Sequence, residues 1–355
     1  MDKNLVLMTN DKCQMTNEGK IFRIIDANLN RATEGARVVE EICRFILEDE
    51  KLTLSFKKIR GLMRRVIRES GNQGAGYQGI GRSGTLLKKR ESVADVGRKS
   101  YTKSEGRRES FEGVFVANMK RAQEAVRCLE EFSKLIKPVY GQRFKAIRFK
   151  LYQLEKELHP RIVKAVKLDF GIYVVTDQEF DHLKMIRRAL AGGVKMIQLR
   201  DKYISREQYL RLAKKAARLI SRKWAVFILN DYWDMVEKVG AAGVHLGQAD
   251  LRTVSLAKVR KEIGDDKIIG VSTHSYAQAL QAAKAGADYI SVGPIYRTPS
   301  KPGIKPVGIK LLRRVLRSVR IPVVAIGGID KKNIGSVRRA GCRRAAVIRA
   351  AGAIV

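Results

Sequence analysis

Four polar clusters in the second half of the chain each follow a short apolar run, and each carries groups suited to anions or a divalent cation. They are Q-L-R-D-K at 198–202, Asn230 with Asp231, G-Q-A-D at 247–250, and G-P-I-Y-R-T-P-S-K at 293–301. Arg200 and Lys202 are alternate residues at a predicted strand end, so they share a side and offer a guanidinium fork and a point charge to a phosphate chain. Gln198 adds an uncharged hydrogen-bonding group on that side. Asp231 and Asp250 follow neighbouring strands, and two such carboxylates suit Mg2+, a hard cation that completes its shell with diphosphate oxygens. Thr298, Ser300 and Lys301 lie in a loop stiffened by Pro294, Pro299 and Pro302, where Gly303 and Gly308 permit close backbone approach. Gly327-Gly328 and the residues after Ile348 add backbone N–H groups of the kind that cradle a phosphate. Together these residues describe two anion pockets, one with a metal.

The elements that must position them are visible as periodicity. Short β-branched runs at 172–176, 194–199, 225–229, 243–246, 268–271, 289–292, 323–326 and 345–348 alternate with helical stretches, which predicts a parallel (β/α)8 TIM-type barrel over 170–355. In that fold the strand ends share one rim, where the active site is built. The sequence reaches Val355 directly after the eighth strand, so the expected barrel has its last helix missing and leaves apolar surface uncovered.

Ahead of the barrel, residues 21–160 repeat their apolar residues at helical spacing, with a Gly-rich break at 71–84, and read as an all-α domain; residues 1–20 read as a disordered tail. The α domain contains an internal repeat: A-N-L-N-R-A-T-E-G-A-R-V-V-E-E at 27–41 matches A-N-M-K-R-A-Q-E-A-V-R-C-L-E-E at 117–131. Asn, Arg and Glu recur every third residue in each copy, on one helix face. A ladder of surface ion pairs is one reading. The other is two facing helices that present Asn28, Arg31 and Glu34 with Asn118, Arg121 and Glu124 to an anionic ligand, favoured because Asn adds little to an ion-pair ladder. Between the copies, R-E-S-V-A-D-V-G at 90–97 offers Asp95 as a metal ligand.

Composition bounds the partners. Lys and Arg total 71 against 36 Asp and Glu, a net charge of +35 in 355 residues, which concentrates anions of any kind near the surface. The excess is spread over both halves, and no RNP, KH, zinc-finger or recognition-helix pattern accompanies it, which argues against a nucleic-acid partner. Cys13, Cys43, Cys128 and Cys342 form no C-x-x-C, disfavouring disulfides and zinc and fitting a reducing cytoplasm. The apolar run at 5–8 is too short for a signal peptide or a membrane span, so a soluble chain is expected. Oligomeric state is open, a homo-oligomer included.

Residues 170–355 resemble the thiamine phosphate synthase family. The likeness is carried by Y-V-V-T-D at 173–177, Q-L-R-D-K, L-N-D at 229–231, G-V-H-L-G-Q-A-D at 243–250, G-V-S-T-H-S at 270–275, the 293–303 loop and A-I-G-G-I at 325–329. It implies a transferase that joins 4-amino-2-methyl-5-hydroxymethylpyrimidine diphosphate to 4-methyl-5-hydroxyethylthiazole phosphate and releases diphosphate. By position it implies that Gln198, Arg200, Lys202, Asn230, Thr298, Ser300 and Lys301 hold the pyrimidine diphosphate, with Arg200, Lys202 and Lys301 catalytic. Ser272 would contact the pyrimidine, Asp231 and Asp250 would bind Mg2+, and Gly328 with the backbone near Ile348 would hold the thiazole phosphate. Such chemistry needs no strong base, so His245 and His274 read as structural.

Residues 21–160 resemble a helical domain fused ahead of such synthases and proposed as an alternative hydroxymethylpyrimidine phosphate kinase, which would take a phosphoryl group from ATP. No Walker A motif marks an ATP site. Two rival readings are a thiazole tautomerase-like barrel, which has no use for Arg200, Lys202, Asp231, Asp250 and Lys301 together, and a basic nucleic-acid-associated protein on a barrel scaffold.

Overall fold

The computed structural model describes residues 3–71, 110–223, 225–300 and 303–349, and the chain divides into two compact units, Met1–Ala165 and Val166–Val355. In the first unit four helices are described: α1 (Lys3–Phe45), α2 (Glu50–Gly71), α3 (Phe111–Lys134) and α4 (Pro138–Lys167). Helix α1 begins within the segment expected to be a disordered tail, so the helical half starts at Lys3 rather than Ile21. The Gly-rich break, from residue 72 on, lies outside the described residues.

The sequence repeat is also a repeat in packing. Ala32, Ala36 and Val39 of α1 and Ala122, Val126 and Leu129 of α3, at matching positions of the two copies, are fully buried. Gly35 lets these helices approach closely: a Cβ there would stand 2.7 Å from the Asn118 carbonyl oxygen. Each copy buries one carboxylate between two guanidinium groups, Glu40 with Arg37 (2.7 Å) and Arg60 (2.6 Å), and Glu130 with Arg127 (2.8 Å) and Arg148 (2.8 Å). Since Arg60 lies on α2 and Arg148 on α4, the repeating unit is a pair of helices, not one helix.

The second unit is a closed barrel of eight parallel strands in chain order, with β1 paired to β8. The strands are β1 (Ile172–Val175), β2 (Met196–Leu199), β3 (Val226–Asn230), β4 (Gly243–Leu246), β5 (Ile268–Thr273), β6 (Tyr289–Val292), β7 (Val323–Ile326) and β8 (Arg344–Val347). Each expected run holds one strand, displaced by at most two residues at an end. Alternate residues face opposite ways. Val174, Ile197, Leu229, Val244 and Ile269 pack outward under the helices, while Tyr173, Met196, Ile228, Tyr289 and Val324 fill the interior. Gly270 is small because the Tyr289 ring occupies the space a Cβ would need.

Polar side chains continue the interior column towards the carboxyl ends of the strands. Gln198 Nε2 donates to Tyr173 Oη (3.0 Å), which pairs with Tyr289 Oη (2.9 Å). Tyr289 Oη meets His245 Nδ1 (2.8 Å), and His245 Nε2 meets Ser272 Oγ (2.9 Å). This chain of bonds ties two expected ligand contacts, Gln198 and Ser272, to one buried scaffold. At the other end Arg344 opens β8 and donates to the Leu168 carbonyl (2.8 Å). No described helix is long and apolar enough to cross a membrane.

Candidate active site

The expected strand-end residues converge on one concavity. Gln198, Arg200 and Lys202 from β2, Asn230 and Asp231 from β3, and Ser272 from β5 all line it. Thr298, Ser300, Gly327 and Ile348 line both this concavity and an adjoining one, which also holds Gly328 and Arg349. Asp250 borders the first through Gly247, whose N–H donates to its Oδ2 (2.7 Å). Lys301 and Asp95 lie outside the described residues.

Asp231 has an unusual backbone and an unusual carboxyl. Its φ is +65°, a left-handed conformation that Asp and Asn tolerate better than other side chains, and its N–H and carbonyl bond to His245 O and Trp233 N (each 2.9 Å). Burial, then the neighbouring Asp250 carboxyl, pushes its pKa up to about 6, against the opposing pull of Lys202 and Arg200. Lys202 Nζ is 3.7 Å from Asp231 Oδ2.

Two carboxylates pressed together suit a divalent cation, which would relieve their repulsion. Among the described residues no third His, Cys, Asp or Glu joins them, so further ligands would be water or substrate oxygens, as Mg2+ prefers. Beside them the Asn230 amide nitrogen is buried without a hydrogen-bond partner. An orphaned buried donor at the wall of a cavity is a site for a ligand acceptor.

The adjoining concavity owes its shape to Gly327 (φ +95°) and Gly328 (φ +66°). A Cβ on Gly327 would meet Pro294 and one on Gly328 would meet Tyr296 and Arg297, so neither position has room for a side chain. Asn333 Nδ2 donates to the Gly328 carbonyl (2.7 Å), fixing the turn from the helix that follows. The loop of Thr298 and Ser300 is tied back to β1, with Ser300 Oγ donating to Asp177 Oδ2 (3.4 Å). His274 Nδ1 is bound at the Gly293 carbonyl (2.5 Å), so both barrel-rim histidines, His245 and His274, are engaged within the protein.

His182, Thr176 and Asp201, none of them an expected site residue, are buried together behind Arg200. Thr176 and Asp201 fall within the motifs Y-V-V-T-D and Q-L-R-D-K, whereas no motif includes His182.

In the α domain the two asparagines expected to face an anionic ligand are bonded to their own helices. Asn28 and Asn118 each donate to the carbonyl four residues back, Ile24 and Val114 (2.8 Å each). The side chains of Arg31, Glu34, Arg121 and Glu124 are exposed and make no hydrogen bond or ion pair among the described residues. The ion-pair ladder is real one turn further on, at Arg37 with Glu40 and Glu41 and at Arg127 with Glu130 and Glu131.

Comparison with known proteins places both units. Residues 172–351 match the family model described as thiamine monophosphate synthase, and residues 23–157 match that of the ThiD2 family. A thiamine-phosphate synthase from Synechocystis sp. is 37% identical over 338 residues, spanning 95% of this chain and 93% of the relative. One from Gloeobacter violaceus is 38% identical over 340 residues, spanning 94% and 92%. Among solved structures, a thiamine phosphate pyrophosphorylase from Pyrococcus furiosus is 34% identical, covering 53% of this chain and 91% of its own, with a TM-score of 0.48. With two units matched in order and near-complete coverage of both curated relatives, the chain belongs to the thiamine-phosphate synthase family, in a form that carries an N-terminal domain of the ThiD2 family.

Proposed function

We propose that the barrel joins 4-amino-2-methyl-5-hydroxymethylpyrimidine diphosphate to 4-methyl-5-hydroxyethylthiazole phosphate, giving thiamine phosphate and diphosphate. The observation that carries this is the unpartnered Asn230 amide beside the Asp231–Asp250 pair and the Arg200–Lys202 arm: donors, cations and hard-oxygen ligands meet on one rim. In the reaction the bond between the pyrimidine methylene and diphosphate breaks, and the diphosphate keeps the electron pair. The methylene cation is stabilised by the ring, and the thiazole nitrogen forms the new carbon–nitrogen bond. Arg200 and Lys202, with Lys301 by sequence position, neutralise the departing charge, the role for which a fixed fork and a point charge are suited. Asp231 and Asp250 would hold Mg2+, which supplies positive charge to the diphosphate oxygens. Gln198, Asn230, Thr298 and Ser300 orient the diphosphate, and Ser272, fixed by His245, borders the pyrimidine. Gly328 and the backbone at Ile348 seat the thiazole phosphate, and the shared wall of the two concavities brings the reactants into line.

The N-terminal domain, by its family, fits a kinase-like role: converting the pyrimidine monophosphate to the diphosphate that the barrel consumes, with ATP as donor. Asn28, Arg31, Glu34, Asn118, Arg121, Glu124 and Asp95 are its candidate ligand-binding residues. A two-arm assay of the full chain with Mg2+ and thiazole phosphate tests both halves. Thiamine phosphate from pyrimidine diphosphate supports the barrel reading, and product from pyrimidine monophosphate plus ATP supports the kinase. Product in the first arm alone contradicts the kinase, and a folded chain silent in both contradicts the whole reading.

A further inference from the structure

We propose that His182 is a positioning residue for the diphosphate-binding arm, acting through Thr176 and Asp201 on Arg200 and Lys202; the proposal rests on the barrel reading above. His182 is the first residue of the helix His182–Ala191 and is buried. Its Nδ1 lies 2.9 Å from Thr176 Oγ1 and its Nε2 lies 2.9 Å from Asp201 Oδ2, and both partners are buried as well. Each partner is tied in turn to the backbone of the strand-end loop. Thr176 Oγ1 accepts the Arg200 N–H at 3.0 Å, and Asp201 Oδ1 accepts the N–H groups of Tyr203 (2.9 Å) and Ile204 (3.3 Å). The imidazole therefore closes a bracket around residues 200–204, the segment that carries the guanidinium and the ammonium.

The proton positions follow from the partners. Burial alone would raise the Asp201 pKa, but the Tyr203 and Ile204 amides and His182 outweigh it and hold the group below its ordinary value. An ionised carboxylate only accepts, so His182 Nε2 carries the proton and donates to it. In the tautomer that carries its single proton on Nε2, Nδ1 accepts the Thr176 hydroxyl proton while the Thr176 oxygen takes the Arg200 N–H. All three donors point the same way, from Arg200 N to Thr176, to His182, to Asp201, an arrangement in which each bond polarises the next.

This bracket encloses only the loop of Arg200 and Lys202. Asp231 and Gly328 are fixed by separate bonds to His245 and Asn333, and Asp250 by Gly247. Lys202 is a long exposed side chain, so the accuracy of its placement depends on its backbone. Loss of the bracket should therefore be felt by the diphosphate substrate and not by the thiazole phosphate.

Steady-state kinetics of the full chain with each substrate varied separately test this, alongside inhibition by inorganic diphosphate and a far-ultraviolet circular dichroism melt. Thr176→Val keeps side-chain shape and removes the hydroxyl; His182→Phe removes both ring nitrogens; Thr176→Ser restores the hydroxyl. The expected result for the first two is a rise of about tenfold in both the pyrimidine diphosphate KM and the inorganic diphosphate inhibition constant, with the thiazole phosphate KM within about twofold, and recovery in Thr176→Ser. Unchanged constants overturn the proposal, as does a parallel rise in both KM values with a lowered melt, which marks a purely structural role. An inactive but folded wild type would defeat the barrel reading and this proposal together, whereas an active wild type with unshifted variants defeats this proposal alone.

Discussion

Asp231 carries a cost that the proposed ligand role would explain. Its left-handed backbone and its pKa of about 6 are both unfavourable to the metal-free chain at neutral pH. The folded-state pKa lies above the unfolded value near 3.9, so the folded form binds the proton more tightly, and stability falls as pH rises from about 4 through 6. Asn keeps the left-handed backbone and does not titrate. Asp231→Asn should therefore be more stable than wild type by roughly 1–3 kcal/mol at pH 8 in chelator, with the gap closing by pH 4, as read from urea unfolding at the two pH values. A gap that widens on acidification would contradict the reading. At the second pocket, Gly328→Ala puts a Cβ at φ +66° against Tyr296 and Arg297. The expected result is a rise of about tenfold or more in the thiazole phosphate KM, with the diphosphate KM nearly unchanged, in the same two-substrate kinetics. Asp231 was legible in the sequence because it ends an apolar run, but its conformation and its partner's effect required the fold. His182 was not legible, since its partners lie six and nineteen residues away and nothing in a single histidine signals them.

At the scale of elements, the barrel strands were readable because strands of a parallel sheet are buried on both faces and appear as unbroken apolar runs. The interior column of Gln198, Tyr173, Tyr289, His245 and Ser272 was not, because it is assembled from one residue on each of five different strands. In the α domain the repeat was plain, but its second layer was hidden: Arg60 and Arg148 lie on α2 and α4, at unequal distances from Glu40 and Glu130. Removing one guanidinium from a buried carboxylate leaves charge poorly compensated. Arg60→Met and Arg148→Met should each destabilise the α domain by about 2–4 kcal/mol, the two by similar amounts if the repeat is energetic as well as geometric. Both tryptophans, Trp224 and Trp233, belong to the barrel sequence. The variants should thus move the helical transition seen by circular dichroism at 222 nm and leave the tryptophan fluorescence transition in place; a shift of the fluorescence transition instead would contradict the assignment.

Over the whole molecule the net charge is +35, and both proposed barrel substrates are anions. Such a field raises encounter rates and is screened by salt, so kcat/KM for the pyrimidine diphosphate should fall as ionic strength rises from about 0.05 to 0.5 M while kcat changes little. A kcat that falls in step would place the salt effect on the chemistry instead. The order of the two units, matched to the ThiD2 and thiamine monophosphate synthase families, gives the charge a use in both halves, since each would handle phosphate esters. The proposed reaction requires the barrel rim to neutralise a departing diphosphate through Arg200, Lys202 and the Mg2+ that Asp231 and Asp250 would hold. The most direct test is Mg2+-dependent thiamine phosphate formation from the two purified substrates by wild type, Arg200→Ala and Asp231→Asn. The expected result is product from wild type and a fall of about 100-fold or more in kcat for each variant. Wild-type rates in folded variants, or formation that persists undiminished in chelator, would contradict it.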